Sequence, residues 1–300
     1  MRILVAGFVT IDTIQLPIRS ITSIGGPPCY AGLLCSRFGM DVSIMTKIGQ
    51  DFPDEQTVWL ARNGIVLGDA HRSRTKGTTR FRIETKVPTR ELTLLNRCED
   101  ISKEQLPDVR VNASLVSPIA GEVSPSLLAE ISARSDFTFL DPQGFVRSFD
   151  ARGKVSVKEP KDRSILTKVD GLKMDREEAA ALTGKVSPRE SLQKLSALGL
   201  RKAIVTQGSG ECYVLDGTRI YEVQVPKSQV VDQTGAGDIL GGAIVSMYLR
   251  TRDFLRSACF GIAASSLSLH MIALSKVDLP MSVDETAVRL YSQASPVAAV

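Results

Sequence analysis

The stretch Val230-Val231-Asp232-Gln233-Thr234-Gly235-Ala236-Gly237-Asp238, followed at once by an apolar run over residues 239–249, constrains this chain more than any other. Its pattern predicts a strand, a tight turn and a helix. Glycines at 235 and 237 let backbone N–H groups crowd together at the start of that helix, where the dipole already favours an anion. The product is a nest of phosphate size. A carboxylate directly behind such a nest would repel the anion, so Asp238 reads as a group that takes a proton. Nest and carboxylate together point to phosphoryl transfer. A bare Gly-Ala-Gly would be explained as well by a helix start with a capping Asp; the full stretch favours chemistry.

Two other glycine-loop readings fail on spacing. The Walker pattern needs Gly-Lys-Ser/Thr, and both Gly153-Lys154 and Gly184-Lys185 are followed by valine. The dinucleotide fingerprint needs a third glycine where Leu240 stands, and it belongs to a first βα unit rather than the last quarter of a chain.

Elsewhere short apolar runs alternate with segments of helical spacing. Residues 2–8, 42–47, 113–116, 137–140, 169–174 and 201–206 read as strands covered on both faces, and residues 29–38, 54–63, 124–134 and 253–272 as helices. This alternation predicts one α/β domain with a mainly parallel sheet. Residues 78–83 and 92–95 read as an antiparallel pair, and 211–215 with 219–223 as a hairpin about Asp216-Gly217. The opening residues read as a first strand rather than a leader. The longest apolar region, 258–274, is interrupted by serines and His270 and falls short of the roughly 20 residues of a bilayer span, so no membrane partner is expected. The formal charge of +4 is spread along the chain apart from a moderately basic segment, 72–90, which gives no case for nucleic acid. Five cysteines without a Cys-x-x-Cys pair, and only two histidines, argue against a structural zinc and for reduced thiols in the cytoplasm.

Asp-x-Thr-Gly-Ala-Gly-Asp before an apolar helix resembles the C-terminal signature of the ribokinase-like (phosphofructokinase-B) family of sugar and nucleoside kinases. That resemblance implies a ribokinase-like fold with a small β lid, here from about residues 12–24 and 76–97. It implies Asp238 as catalytic base and the amides of Gly235, Ala236 and Gly237 as anion hole. Asp12, after the first strand, and the pair Gly25-Gly26 fall where such kinases bind their sugar. At the next positions Pro27-Pro28-Cys29-Tyr30 stands where many members carry Lys-Gly-Ala-Asn, so the usual substrate-binding Asn is missing. Asp141-Pro142-Gln143-Gly144-Phe145-Val146-Arg147 is similar to an archaeal branch with inositol kinase-like members; Gln143 and Arg147 are candidates for the substrate site, the Arg147 guanidinium fork suiting a phosphate or a substrate hydroxyl, with a plain surface arginine as the alternative. Asp175 and Glu178, three apart on one helix face, are candidates to hold the waters of Mg²⁺, although acids in a first helical turn also simply suit the dipole. The family has Asn where Asp175 stands. Thr206, Gly208 and Gly210, with Thr234, are assigned to the nucleotide, Gly210 one place early. The expectation is an ATP-dependent kinase of a sugar or polyol, best an inositol-type polyol. A nucleoside kinase, or a silent sugar-binding or regulatory module, is the alternative, and a homodimer is left open.

Overall fold

The computed structural model describes residues 1–16, 18–86 and 89–297. Pro17, Val87 and Pro88, which fall within the expected lid segments, lie outside the described residues. The chain opens with β1 (Arg2–Ala6), β2 (Thr10–Gln15) and β3 (Ser20–Gly25), then a turn of wide π-type hydrogen bonding, Pro28–Gly32, that runs into α1 (Leu33–Arg37). Next come β4 (Asp41–Met45), α2 (Asp54–Arg62), β5 (Thr79–Lys86), β6 (Thr89–Asn96), β7 (Ala113–Val116), α3 (Pro125–Ala133) and β8 (Thr138–Leu140). A short α4 (Gln143–Val146) leads to a small hairpin, β9 (Arg147–Phe149) and β10 (Val155–Val157), and then to β11 (Gly171–Asp175), α5 (Arg176–Thr183) and α6 (Pro188–Ala197). The chain ends with β12 (Lys202–Thr206), β13 (Cys212–Asp216), β14 (Arg219–Val223), α7 (Ala236–Thr251), α8 (Phe254–Ser268), α9 (Ser282–Gln293) and β15 (Ser295–Pro296).

Nine strands form the main sheet in the order β15-β14-β13-β12-β11-β8-β7-β1-β4. The run from β12 to β4 is parallel, and β13 to β15 add an antiparallel edge. Alternate side chains of β1 show why its sequence is apolar throughout: Ile3 and Val5 enter one core with α1, α7 and α8, while Leu4 and Ala6 enter a second core with α3, α5 and α6. Helix α3 starts where Ser124 Oγ accepts the Leu127 amide, and α5 stops at Gly184, whose φ of 71° is the left-handed cap. A separate four-stranded sheet, ordered β3-β2-β5-β6, folds over the carboxyl ends of the main strands. It turns Phe81 and Ile83 inward.

Two expectations need correction. Val230 and Val231 are not a strand: the chain from 224 to 235 is irregular, and the amides of Val231 and Asp232 donate to Leu269 O at 2.9 and 3.3 Å instead of to a strand neighbour. The same carbonyl is one reason α8 stops at Ser268 rather than reaching 272, because it faces this segment and not a further helical turn. Asp12 does follow the first strand. It lies inside β2, opposite Ser23 of β3 and Phe81 of β5. Helices α6 and α9 and strands β9, β10 and β15 were not foreseen, whereas β2 and β3 fall largely within the segment 12–24 expected to build the lid.

Candidate active site

The carboxyl ends of the parallel strands and the start of α7 enclose a cleft roofed by Phe81, Ile83 and Leu92 of the smaller sheet. Gly235, with φ of 75°, is the cap of α7, and the first helical hydrogen bond runs from the Ile239 amide to Gly235 O at 2.9 Å. Gly235 and Gly237 therefore fall in the turn whose amides helix geometry leaves without intrahelical acceptors. Ala236 differs from expectation in one respect: its N–H donates to Gln233 O at 3.3 Å, so it helps close the turn.

The requirement for glycine at 235 is steric as well as conformational. A Cβ there would lie 2.5 Å from Cγ and 2.6 Å from both Cδ atoms of Tyr30, whose ring sits directly beneath the nest. Tyr30 comes from the π-type turn, a geometry often found at functional sites. Its hydroxyl is buried without a hydrogen-bond partner among the described residues, and burial with Asp12, Asp232, Cys29 and Asp238 nearby pushes its pKa well up. Burial pushes the Cys29 thiol well up, with the charges of Asp12 and Asp238 adding to it.

Asp12 is 5 % exposed. Gly25 makes room for it: a Cβ at 25 would lie 2.3 Å from Asp12 Oδ2. Gly26, at φ of 83°, brings its backbone against Phe8 O, where a Cβ would stand at 2.0 Å. Asp12, Gly26, Tyr30, Gln143, Arg147, Thr234, Gly235, Gly237 and Asp238 all line the cleft. Arg147 is anchored by Nη1 donating to Ile119 O at 3.4 Å, and Gln143 Nε2 donates to Asp141 Oδ2 at 2.7 Å. Thr206, Gly208 and Gly210 are not on this wall. They occupy the neighbouring β12–β13 connection, with Thr206 paired to Asp175 across the strands.

Sequence reasoning missed Lys173. Its Nζ is 3.0 Å from the point a Cβ on Gly237 would occupy, and it pairs with Asp141 Oδ2 at 2.5 Å, both residues buried. Burial lowers the pKa of this lysine, but Asp141, Glu178 and Asp238 outweigh it and the net shift is upward, so the ammonium stays charged. Glu122 was missed too. Fully buried, it accepts the amides of Phe8 at 3.0 Å and of Ile119 and Ala120 at 2.9 and 2.7 Å, clamping the end of β1 to the loop after β7. A Ser-Pro-Ile-Ala-Gly-Glu run offers no motif by which to find it.

Asp175 and Glu178 form a reciprocal capping box at α5: the Glu178 amide donates to Asp175 Oδ1 at 2.8 Å and the Asp175 amide to Glu178 Oε2 at 2.9 Å. Burial, with Asp141 and Asp175 adding to it against Lys173 and Arg147, raises Glu178 from its ordinary 4.5 to about 7. Between those two values the folded chain holds a proton that the unfolded chain has released. Stability is accordingly expected to fall as pH rises across that window, by about 1 kcal/mol per pH unit at most. Glu178→Gln should flatten this slope in denaturant melts at pH 5 and pH 7; an unchanged slope would assign it elsewhere.

An α/β sheet with a nest, a carboxylate behind it, an adjacent ammonium and a second carboxylate under a lid defines a group-transfer enzyme acting on a phosphoryl donor and a small polar acceptor. Comparison with known proteins makes this particular. The chain matches the description pfkB family carbohydrate kinase over residues 22–274. It is 25% identical to a cytidine kinase of Thermococcus kodakarensis over 276 residues, covering 87% of this chain and 94% of that one. It is 27% identical to an inositol 3-kinase of Arabidopsis thaliana over 279 residues, covering 86% and 71% respectively. A solved pyrophosphate-dependent kinase of the ribokinase family superposes with a TM-score of 0.80 at 21% identity, covering 93% of this chain and 100% of that one. The chain belongs to the pfkB family of carbohydrate kinases. It has the ribokinase-like fold and is a kinase of sugar or nucleoside hydroxyls. Among the described residues no helix is long and apolar enough to cross a membrane.

Proposed function

We propose that this kinase transfers the γ-phosphoryl group of ATP to a hydroxyl of an inositol-type polyol, with Asp238 as the base. The observation that carries the reading is the convergence of Asp238, Asp12, Gln143 and Arg147 with the Gly235 and Gly237 nest on one cleft. A polyol ring carries hydroxyls around its rim and C–H faces above and below. Asp12 accepts hydrogen bonds from two of those hydroxyls, Gln143 and Arg147 donate to others, and Phe81, Ile83 and Leu92 cover one face.

In the transfer, the hydroxyl proton passes to Asp238 as its oxygen bonds to the γ-phosphorus, and the bond from that phosphorus to the bridging oxygen breaks, leaving ADP. The nest amides of Gly235 and Gly237 and the Lys173 ammonium hold the negative charge spread over the transferred group. Thr234, with Thr206, Gly208 and Gly210 on the adjoining loop, faces the donor. Glu178 is a carboxylate raised by burial beside Asp141 and Asp175, a place where a divalent cation's charge is welcome, and the all-oxygen donor set suits Mg²⁺ held through water. Bound there, Mg²⁺ supplies neutralisation of the donor phosphates. Closure of the smaller sheet excludes water from the phosphoryl group.

The inositol 3-kinase relative supports the polyol, and the similar extent of likeness to a cytidine kinase supports a nucleoside as second reading, its ribose presenting hydroxyls to the same groups. A coupled assay of nucleotide consumption with Mg²⁺ and ATP against polyols, hexoses, pentoses and nucleosides tests both. Turnover confined to cyclic polyols is the expected result. Turnover confined to cytidine-like nucleosides would replace the polyol, and silence with every acceptor and with ATP, ADP and pyrophosphate as donors would remove the catalytic reading.

A further inference from the structure

A second buried lysine lies on the other side of the nest. Lys276 and Asp232 are both 0 % exposed, with Nζ 3.8 Å from Asp232 Oδ2. The ammonium also donates to the backbone carbonyl of Asp232. The same carboxylate gathers the two segments that meet there: Oδ1 accepts the Thr234 amide at 2.8 Å, and Oδ2 accepts the Ala273 amide at 3.0 Å. Ala273 is held at a left-handed φ of 48°, a conformation that costs an alanine energy and that this contact helps to fix. The short helical turn Ala273–Val277 carrying Lys276 packs against β3, the Pro28–Gly32 turn, α1 and α7, the elements that build the cleft. Asp232 in turn bears electrostatically on Tyr30, whose ring is the floor under Gly235.

A fully buried ion pair is poor value as mere stabilisation, since the desolvation of two charges offsets most of their attraction. Here it fixes a turn. The irregular segment before α7 has no strand partner, and the Asp232 side chain ties it to the 269–277 segment through Ala273 and Lys276, beside the backbone bonds from Val231 and Asp232 to Leu269 O.

We propose that the Lys276 ammonium is a positioning group for the anion nest, holding the Asp232–Gly235 turn in its phosphoryl-binding shape, and that a small free ammonium ion can do the same when the side chain is cut back. The inference rests on the phosphoryl-binding role of the nest. Lys276 touches no reacting atom. Cutting it to alanine opens an ammonium-sized, carboxylate-lined hole beside a loosened turn, and displacements near 1 Å at such a point cost about 10²-fold in rate.

The test compares wild type with Lys276→Ala at constant ionic strength in ammonium, methylammonium and tetramethylammonium chloride. Wild type should be indifferent to all three. Lys276→Ala should fall about 10²-fold in kcat/KM for the donor and recover saturably with ammonium and methylammonium, but not with the bulky tetramethylammonium. Full activity without any cation, or a folded, impaired variant that no small cation restores, overturns the proposal. Should Lys276→Ala fail to fold, the charge-balanced Asp232→Asn/Lys276→Met replaces it: lowered kcat/KM unresponsive to cations is expected, and wild-type turnover overturns the proposal. Calorimetric binding of inorganic pyrophosphate is read in parallel. If wild type phosphorylates no acceptor, the proposed function fails, while weaker pyrophosphate binding in the variant, restored by ammonium, still reports the nest.

Discussion

Asp238→Asn is expected to lower kcat by about 10²–10⁴-fold, the span that a positioned general base supplies, while ATP still binds. The substitution keeps the shape of the side chain in the first turn of α7 and removes only its ability to take a proton. Loss of its charge at the positive end of the helix should cost the fold no more than about 0.3–1 kcal/mol. The measurement is a pair: coupled turnover under saturating acceptor, and calorimetric titration with ATP. A fall in turnover with unaltered nucleotide affinity assigns the base; unchanged turnover would dismiss it. Joint loss of turnover and ATP affinity would instead make Asp238 part of the donor site.

Lys173→Met is expected to be the more damaging change, because it acts on two levels. Asp141 is 1 % exposed, and without the ammonium its charge is met only by the amide of Gln143. Stranding one member of a buried pair costs about 3–5 kcal/mol. Removing the charge proposed to face the transferred phosphoryl group should cost in addition about 10²–10³-fold in kcat. The double variant Lys173→Met/Asp141→Asn separates the two. It should regain most of the lost stability in denaturant melts and almost none of the turnover. Recovery of turnover along with stability would reduce Lys173 to a structural residue, and the charge beside Gly237 would have to be assigned otherwise.

The nest was legible because its geometry is local. Five consecutive residues carry the glycine conformation, the helix start and the carboxylate. The strands of the main sheet were legible for a similar reason: burial on both faces makes β1, β7 and β8 mostly apolar, and the Asp216-Gly217 hairpin carries its own turn signal, with Gly217 at φ of 63°. What escaped depends on contacts made at a distance. Lys173 sits in the apolar strand β11, where a lysine reads as a residue reaching for solvent, and its partner is 32 positions away. Lys276 meets Asp232 across 44 positions. Glu122 holds an amide 114 positions off. The setting of Asp12 escaped for the same reason: β2 pairs on both sides and Gly25 leaves a gap sized for its carboxylate. The Val230-Val231 pair has the residues of a strand, yet Leu269 takes its backbone amides.

The position of Asp12 has a consequence for how such an enzyme tells its substrate from water. Strand β2 belongs to the roof, hydrogen-bonded to β5 opposite Phe81, and it also carries the carboxylate proposed above to meet the acceptor's hydroxyls. Any displacement of the roof therefore carries that carboxylate with it. Recognition and enclosure are one mechanical event, as when a latch is part of the door. A compound that spans from Asp238 to Asp12 pulls the roof down by the very bonds that identify it, and one too small to span them leaves it ajar. Water is the smallest such compound, and a donor phosphate under an open roof faces a catalytic carboxylate with nothing correctly held to receive it.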